Sequence, residues 1–160
     1  MRSYQVFAAM SPERAADLMR SLAEHAPVMF ASALQLAAAT FKTRPAYLQR
    51  QPFAKRSASI RRALARVSSN GIAEEVLAVY FVECRKELLI EWLDLLGIGH
   101  EDGILSEDAP APPPETELRE AIERFRGGDG NADRELLLQA FAAQESIDWP
   151  ALEALLDAKP

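Results

Sequence analysis

IAEEVLAVYFVECRKELLIEWLDLLG, residues 72–97, is the stretch on which the fold turns. Apolar residues recur through it at spacings of three and four, and no glycine or proline interrupts it before Gly97. That pattern predicts one amphipathic helix from Ile72 to Leu96, the longest in the chain. Gly97 stands where a left-handed residue closes a helix, so Ile98 is expected to fold back on Leu93 in a Schellman ending. Outward from this segment alanine and leucine remain dominant, and nowhere do four or more residues alternate apolar with polar as a half-buried strand would. The sequence therefore predicts an all-α fold, a compact multi-helix bundle.

Upstream, Ser11-Pro12-Glu13 opens a helix with a capping serine, a proline at the first position and an acid in the first turn. It is expected to run to about His25, and Ala26-Pro27 restarts the chain into an apolar helix to about Phe41. KTRPAYLQRQP, residues 42–52, reads as a bend with one short helical turn between two prolines. A further helix is predicted from Phe53 to about Ser68, ending at Ser69-Asn70-Gly71. Downstream, residues 107–114 form a proline-rich elbow that favours an extended conformation. Three short amphipathic helices follow in a tail over 115–160, with Asn131 capping the second and Asp148 the third. The expected organisation is thus a helical core over 1–106, the elbow, and a tail too short to hold its own core, effectively one domain. The apolar faces of the tail must dock on the first part or on a second chain.

Length and composition place the chain among ordinary globular domains, with 160 residues, 49% of them apolar and 26% charged. The single cysteine, Cys84, allows no internal disulfide. The opening residues carry one Arg and only a short apolar stretch before a helix-start signal, so a cytoplasmic location is expected. Residues 26–41, the most apolar window, fall short of the run of about 18 that suggests a membrane span. No membrane association is expected.

Chemistry-bearing motifs are sparse. His100-Glu101-Asp102 is the one place where a histidine adjoins two carboxylates, yet three consecutive side chains in a loop do not converge on one ion without unusual backbone geometry. With His25 the only other histidine and Cys84 the only thiol, neither a structural zinc nor a three-histidine zinc can be assembled. The cluster reads better as a solvated turn beside a helix carboxyl end. Glu83, Glu87, Glu91 and Asp94 line one face of the predicted 72–96 helix, but no Glu-x-x-His pair completes a di-metal bundle. Asp129, Asn131 and Asp133 begin like a calcium loop that fails at Arg134 and Ala140, where a glycine and a glutamate are required. No nucleophile elbow, phosphate loop or dinucleotide fingerprint is present. The chain therefore reads as no enzyme, with no cofactor and no metal. Arg85 falls among Phe81, Leu88 and Trp92 on the helical wheel. It must snorkel, stack, pair with a carboxylate from another helix, or anchor an anionic ligand in a pocket.

Charge is the least evenly distributed property. Between His25 and Glu74 there is no Asp or Glu, while Lys42, Arg44, Arg50, Lys55, Arg56, Arg61, Arg62 and Arg66 supply eight cations in a chain of net charge −6. Lys55, Arg62 and Arg66 are spaced to form one basic ridge, opposite a buried side of Phe53, Ile60, Leu64 and Val67. The expected function is a non-enzymatic interaction module, a homodimer or a binder of another protein, in which such a ridge meets acidic surfaces. The alternative is a nucleic-acid or anionic-ligand binder using Lys55, Arg62 and Arg66, with Phe41, Tyr47 and Phe53 as stacking groups. An acidic chain with pI near 5.0 weighs against that alternative.

Overall fold

A computed structural model describes residues 1–158 and is all-α. Among these residues the chain forms ten α-helices and one minimal hairpin. The helices are α1 (Ser3–Ala9), α2 (Pro12–His25), α3 (Pro27–Thr40), α4 (Pro45–Arg50), α5 (Phe53–Leu64), α6 (Asn70–Val79), α7 (Lys86–Leu96), α8 (Glu115–Arg126), α9 (Asn131–Ala143) and α10 (Pro150–Asp157). The end of the expected tail, residues 159 and 160, lies outside the described residues. No helix among those described is long and apolar enough to cross a membrane.

The chain divides into two compact units, Arg2–Cys84 and a second made of Met1 with the chain from Arg85 onward. The division falls inside the stretch that the periodicity assigns to one continuous helix. There the backbone leaves α6 into a wide π-type turn over Tyr80–Cys84, and Arg85 then adopts φ −139°, ψ 41° before α7 starts. The wide turn inserts Tyr80 and Phe81 side by side into the core, both essentially buried and packed edge to face at 5.0 Å. This is a correction to the single helix expected from Ile72 to Leu96. A π-turn adds one residue per turn without needing glycine or proline, so it leaves no punctuation in the sequence.

In the first unit α5 packs against α2 and α3, α1 lies on α5 and α6, and Phe7, Leu18, Leu22, Ile60 and Leu64 are fully buried. Ser11 caps α2 as expected, accepting the Arg14 amide at 3.1 Å. Phe30, early in α3, stacks on Phe53 at the start of α5, with centroids 6.1 Å apart. At the other end, Phe41 closing α3 meets Arg62 from the last turn of α5. The two helices are therefore parallel, and α4 carries the chain back between their ends. α5 stops at Leu64, earlier than expected, and a 3-10 turn over Val67–Ser69 leads directly into α6. Val67, expected on the buried side, is consequently 71% exposed, because it lies past the helix whose face it was assigned to.

In the second unit Trp92 of α7 is fully buried between Phe125 of α8 (5.3 Å) and Phe141 of α9 (5.9 Å), and Phe141 packs in turn on Trp149 (5.4 Å). α8 and α9 thus take their core from α7, and α10 packs on α8 and α9. The proline segment also lies within this unit, where the Pro110 carbonyl accepts the Trp149 indole N–H at 3.0 Å. Gly97 closes α7 at φ 67°, and the Ile98 amide donates to Leu93 O at 3.0 Å, the ending read from the sequence. Two expected caps are displaced by one residue. Left-handed Gly130 precedes α9, so Asn131 is its first helical residue. Trp149 precedes α10, which begins at Pro150 rather than after a capping Asp148.

Candidate anion-binding face

The His100 cluster is the turn of the hairpin. His100 pairs with Leu105 and Glu101 with Ile104, and Asp102 (φ 55°) and Gly103 (φ 88°) supply the two left-handed residues of a tight two-residue loop. His100 Nδ1 accepts the Gly103 amide at 3.1 Å, so the ring presents its other nitrogen, 2.7 Å away, to Asp94 Oδ1. Lys86 reaches Asp102 at 2.8 Å. The three side chains thus serve the turn and its anchoring to α7, and among the described residues no group of three His, Cys, Asp or Glu could hold a metal.

The row of carboxylates is dispersed. The helix break ends the register that aligned Glu83 with the others, Asp94 faces His100, and Glu91 receives a two-pronged ion pair from Arg134 at 2.8 and 3.0 Å. Arg85 is held by Asp133, with Nε 2.8 Å from Oδ2. Arg134, which the sequence offers only as a misfit in a calcium loop, is the most buried charged residue described, at 7% exposure. Its guanidinium also donates to the carbonyls of Asp129 (2.7 Å) and Phe125 (2.9 Å) and lies over the Phe125 ring at 4.8 Å.

The basic segment behaves differently. Among the described residues none of Lys42, Arg44, Arg50, Lys55, Arg56, Arg61, Arg62 and Arg66 forms an ion pair, and six of the eight are exposed. Arg61 is turned inward, 3.4 Å from Phe7 O, and Arg56 is half-buried over Phe53 at 5.1 Å. Arg62 and Arg66 both lie on the Phe41 ring, at 5.0 and 5.3 Å. Arg66 is beyond the end of α5, so this convergence arises from tertiary packing rather than from one helical ridge. Lys55 stays exposed near the start of α5, about 10 Å from Arg62 along the axis at 1.5 Å per residue.

The division into units also removes the compositional objection to an anionic partner. Residues 2–84 carry eleven Lys and Arg against six Asp and Glu, a net +5, whereas residues 85–160 carry seven against eighteen, a net −11. The overall acidity belongs to the second unit.

Lys42 adds a separate observation. α3 ends in a Schellman arrangement, with Thr43 N donating to Ala38 O at 2.9 Å and Lys42 N to Ala39 O at 3.4 Å. The residue between, Lys42, has φ 54°, a conformation that favours glycine and costs an L residue about 1 kcal/mol. Lys42→Gly is expected to raise stability by about 1 kcal/mol in urea denaturation. The same variant is expected to weaken polyanion binding. No gain in stability would mean that the left-handed residue carries no strain.

Comparison of the chain with protein-family models, with curated proteins and with solved structures finds no match.

Proposed function

We propose that the protein is a non-enzymatic helical interaction module whose acid-free segment, residues 42–66, binds a polyanion. The observation that carries this reading is the group of six exposed cations, Lys42, Arg44, Arg50, Lys55, Arg62 and Arg66, without an ion pair among the described residues. Charges left unneutralised along one segment create a local positive potential that concentrates and orients anionic partners. Arg62 and Arg66 are held on Phe41, so part of the rotamer entropy a ligand must otherwise remove is already lost.

The test is fluorescence anisotropy with end-labelled inorganic polyphosphate at about 50 and 200 mM salt. Engaging four phosphates implies an affinity loss of some tens-fold across that range, because condensed counterions are released on binding. Reversal of Lys55, Arg62 and Arg66 together to glutamate is expected to abolish binding at both salts while leaving far-UV circular dichroism unchanged. Failure to bind at low salt, or an affinity indifferent to salt, sinks the proposal.

A second reading keeps the same face but fills it with another copy of the chain. The net −11 of residues 85–160 is its motive, since an acidic surface on one protomer can meet the basic face of another. It implies a homodimer in sedimentation velocity that the triple reversal dissociates.

A further inference from the structure

We infer, resting on the polyanion-binding reading, that the partner is a single-stranded nucleic acid and that Tyr47 is the platform on which one of its bases stacks. Cations alone suit any polyanion; what separates a nucleic acid from an acidic polypeptide or polyphosphate is a flat apolar ring that needs a π-face to cover it.

Three aromatic residues lie in the basic segment, and two are already occupied. Phe41 is covered by Arg62 and Arg66. Phe53 is stacked on Phe30 and flanked by Arg20 (5.4 Å) and Arg56 (5.1 Å). Tyr47 is neither stacked nor hydrogen-bonded among the described residues and is 56% exposed. It sits on α4, whose only buried residue is Leu48, so the helix is seated by that leucine and turns Tyr47 outward. Arg44 and Arg50 stand three positions to either side. Arg50, in the last turn of α4, neighbours Tyr47 at helical spacing, and Arg44 is the extended residue that caps the start of the same helix. An exposed ring on a helix with an exposed arginine at each end can stack a base while the arginines take the phosphates that flank it. A duplex buries its base faces in its own stack and offers Tyr47 nothing, which selects a single strand.

Anisotropy titrations at one salt concentration test this with four labelled probes of matched charge: a mixed-sequence single-stranded oligonucleotide, its duplex, an abasic strand, and poly-L-glutamate. The single strand is expected to bind about tenfold tighter than the abasic strand, within the range for one base stacked on an aromatic side chain. Tyr47→Ala is expected to remove that advantage and leave abasic-strand and polyphosphate binding unchanged, while Tyr47→Phe retains it. Tyr47 is exposed, so neither variant disturbs the core, and far-UV circular dichroism checks that. Equal affinity of Tyr47→Ala and the wild type for the single strand overturns the inference, as does duplex or poly-L-glutamate binding as tight as the single strand. In either case retained polyphosphate binding leaves the broader reading standing. Loss of polyphosphate binding in the wild-type protein removes both.

Discussion

Trp92→Ala is expected to destabilise the unit that begins at Arg85 by about 4 kcal/mol, the middle of the range for removing a buried aromatic side chain. The indole is fully buried and touches Phe125 and Phe141, so its loss opens a void at the meeting point of α7, α8 and α9. Phe141 also supports Trp149, whose N–H holds the Pro110 carbonyl, so the void lies one residue away from the seat of the proline segment. A loss of this size is a large fraction of the roughly 5–15 kcal/mol that stabilises a typical domain. The readout is built in. The chain has two tryptophans, both in this unit, and Trp149 remains in the variant as the emitter whose denaturation midpoint is followed. A shift of less than about 1 kcal/mol would mean that the three aromatic rings do not form the unit's core.

Gly128→Ala is expected to cost about 2 kcal/mol and Arg134→Met about 3 kcal/mol, yet the double variant should be no less stable than Arg134→Met alone. A Cβ at Gly128 would overlap the Arg134 guanidinium, lying 2.7 Å from its Nε and closer still to the other atoms. The far end of an arginine ordinarily moves aside at little cost. Here two backbone carbonyls and the Glu91 carboxylate fix it, so the methyl group must break hydrogen bonds to enter. Glu91 is 42% exposed and regains water once the arginine is gone. Most of the cost of Arg134→Met therefore falls on the Asp129 and Phe125 carbonyls, which lose their donor. With the guanidinium removed, the space beside Gly128 is free and alanine becomes nearly neutral. Additive losses in the double-mutant cycle would show that Gly128 is constrained by something other than this side chain.

How much of this was legible in the sequence differs from element to element. The Ser11 cap, the Gly97 stop and the short helix between Pro45 and Pro52 follow from local chemistry, and the structure contains them. The break at Arg85 does not, because the π-turn before it requires no breaker and Arg85 itself leaves the helical path with no glycine or proline to announce it. The hairpin left one trace, Asp102-Gly103, but two-residue strands are too short for alternation to register. On the basic face, the absence of acids and the spacing of Lys55, Arg62 and Arg66 were readable. The meeting of Arg62 and Arg66 on Phe41 was not, since it depends on α3 and α5 running parallel. Nor was the left-handed Lys42, because nothing in Phe-Lys-Thr-Arg announces a positive φ. Arg134 was visible only as a misfit, its partners being supplied by α7, by α8 and by the loop before α9.

The way α4 is attached gives the face an uneven mechanical character. A six-residue helix seated by Leu48 alone has little burial to resist local opening, so the segment bearing Arg44, Tyr47 and Arg50 can deform at small free-energy cost. Arg62 and Arg66 rest on Phe41 at the far end of α5, a helix seated by Ser57, Ile60, Ala63 and Leu64. A ligand on this face would therefore meet a stiff electrostatic footing beside a pliant aromatic grip. Such a pairing tolerates variation in what is gripped while fixing where it is held.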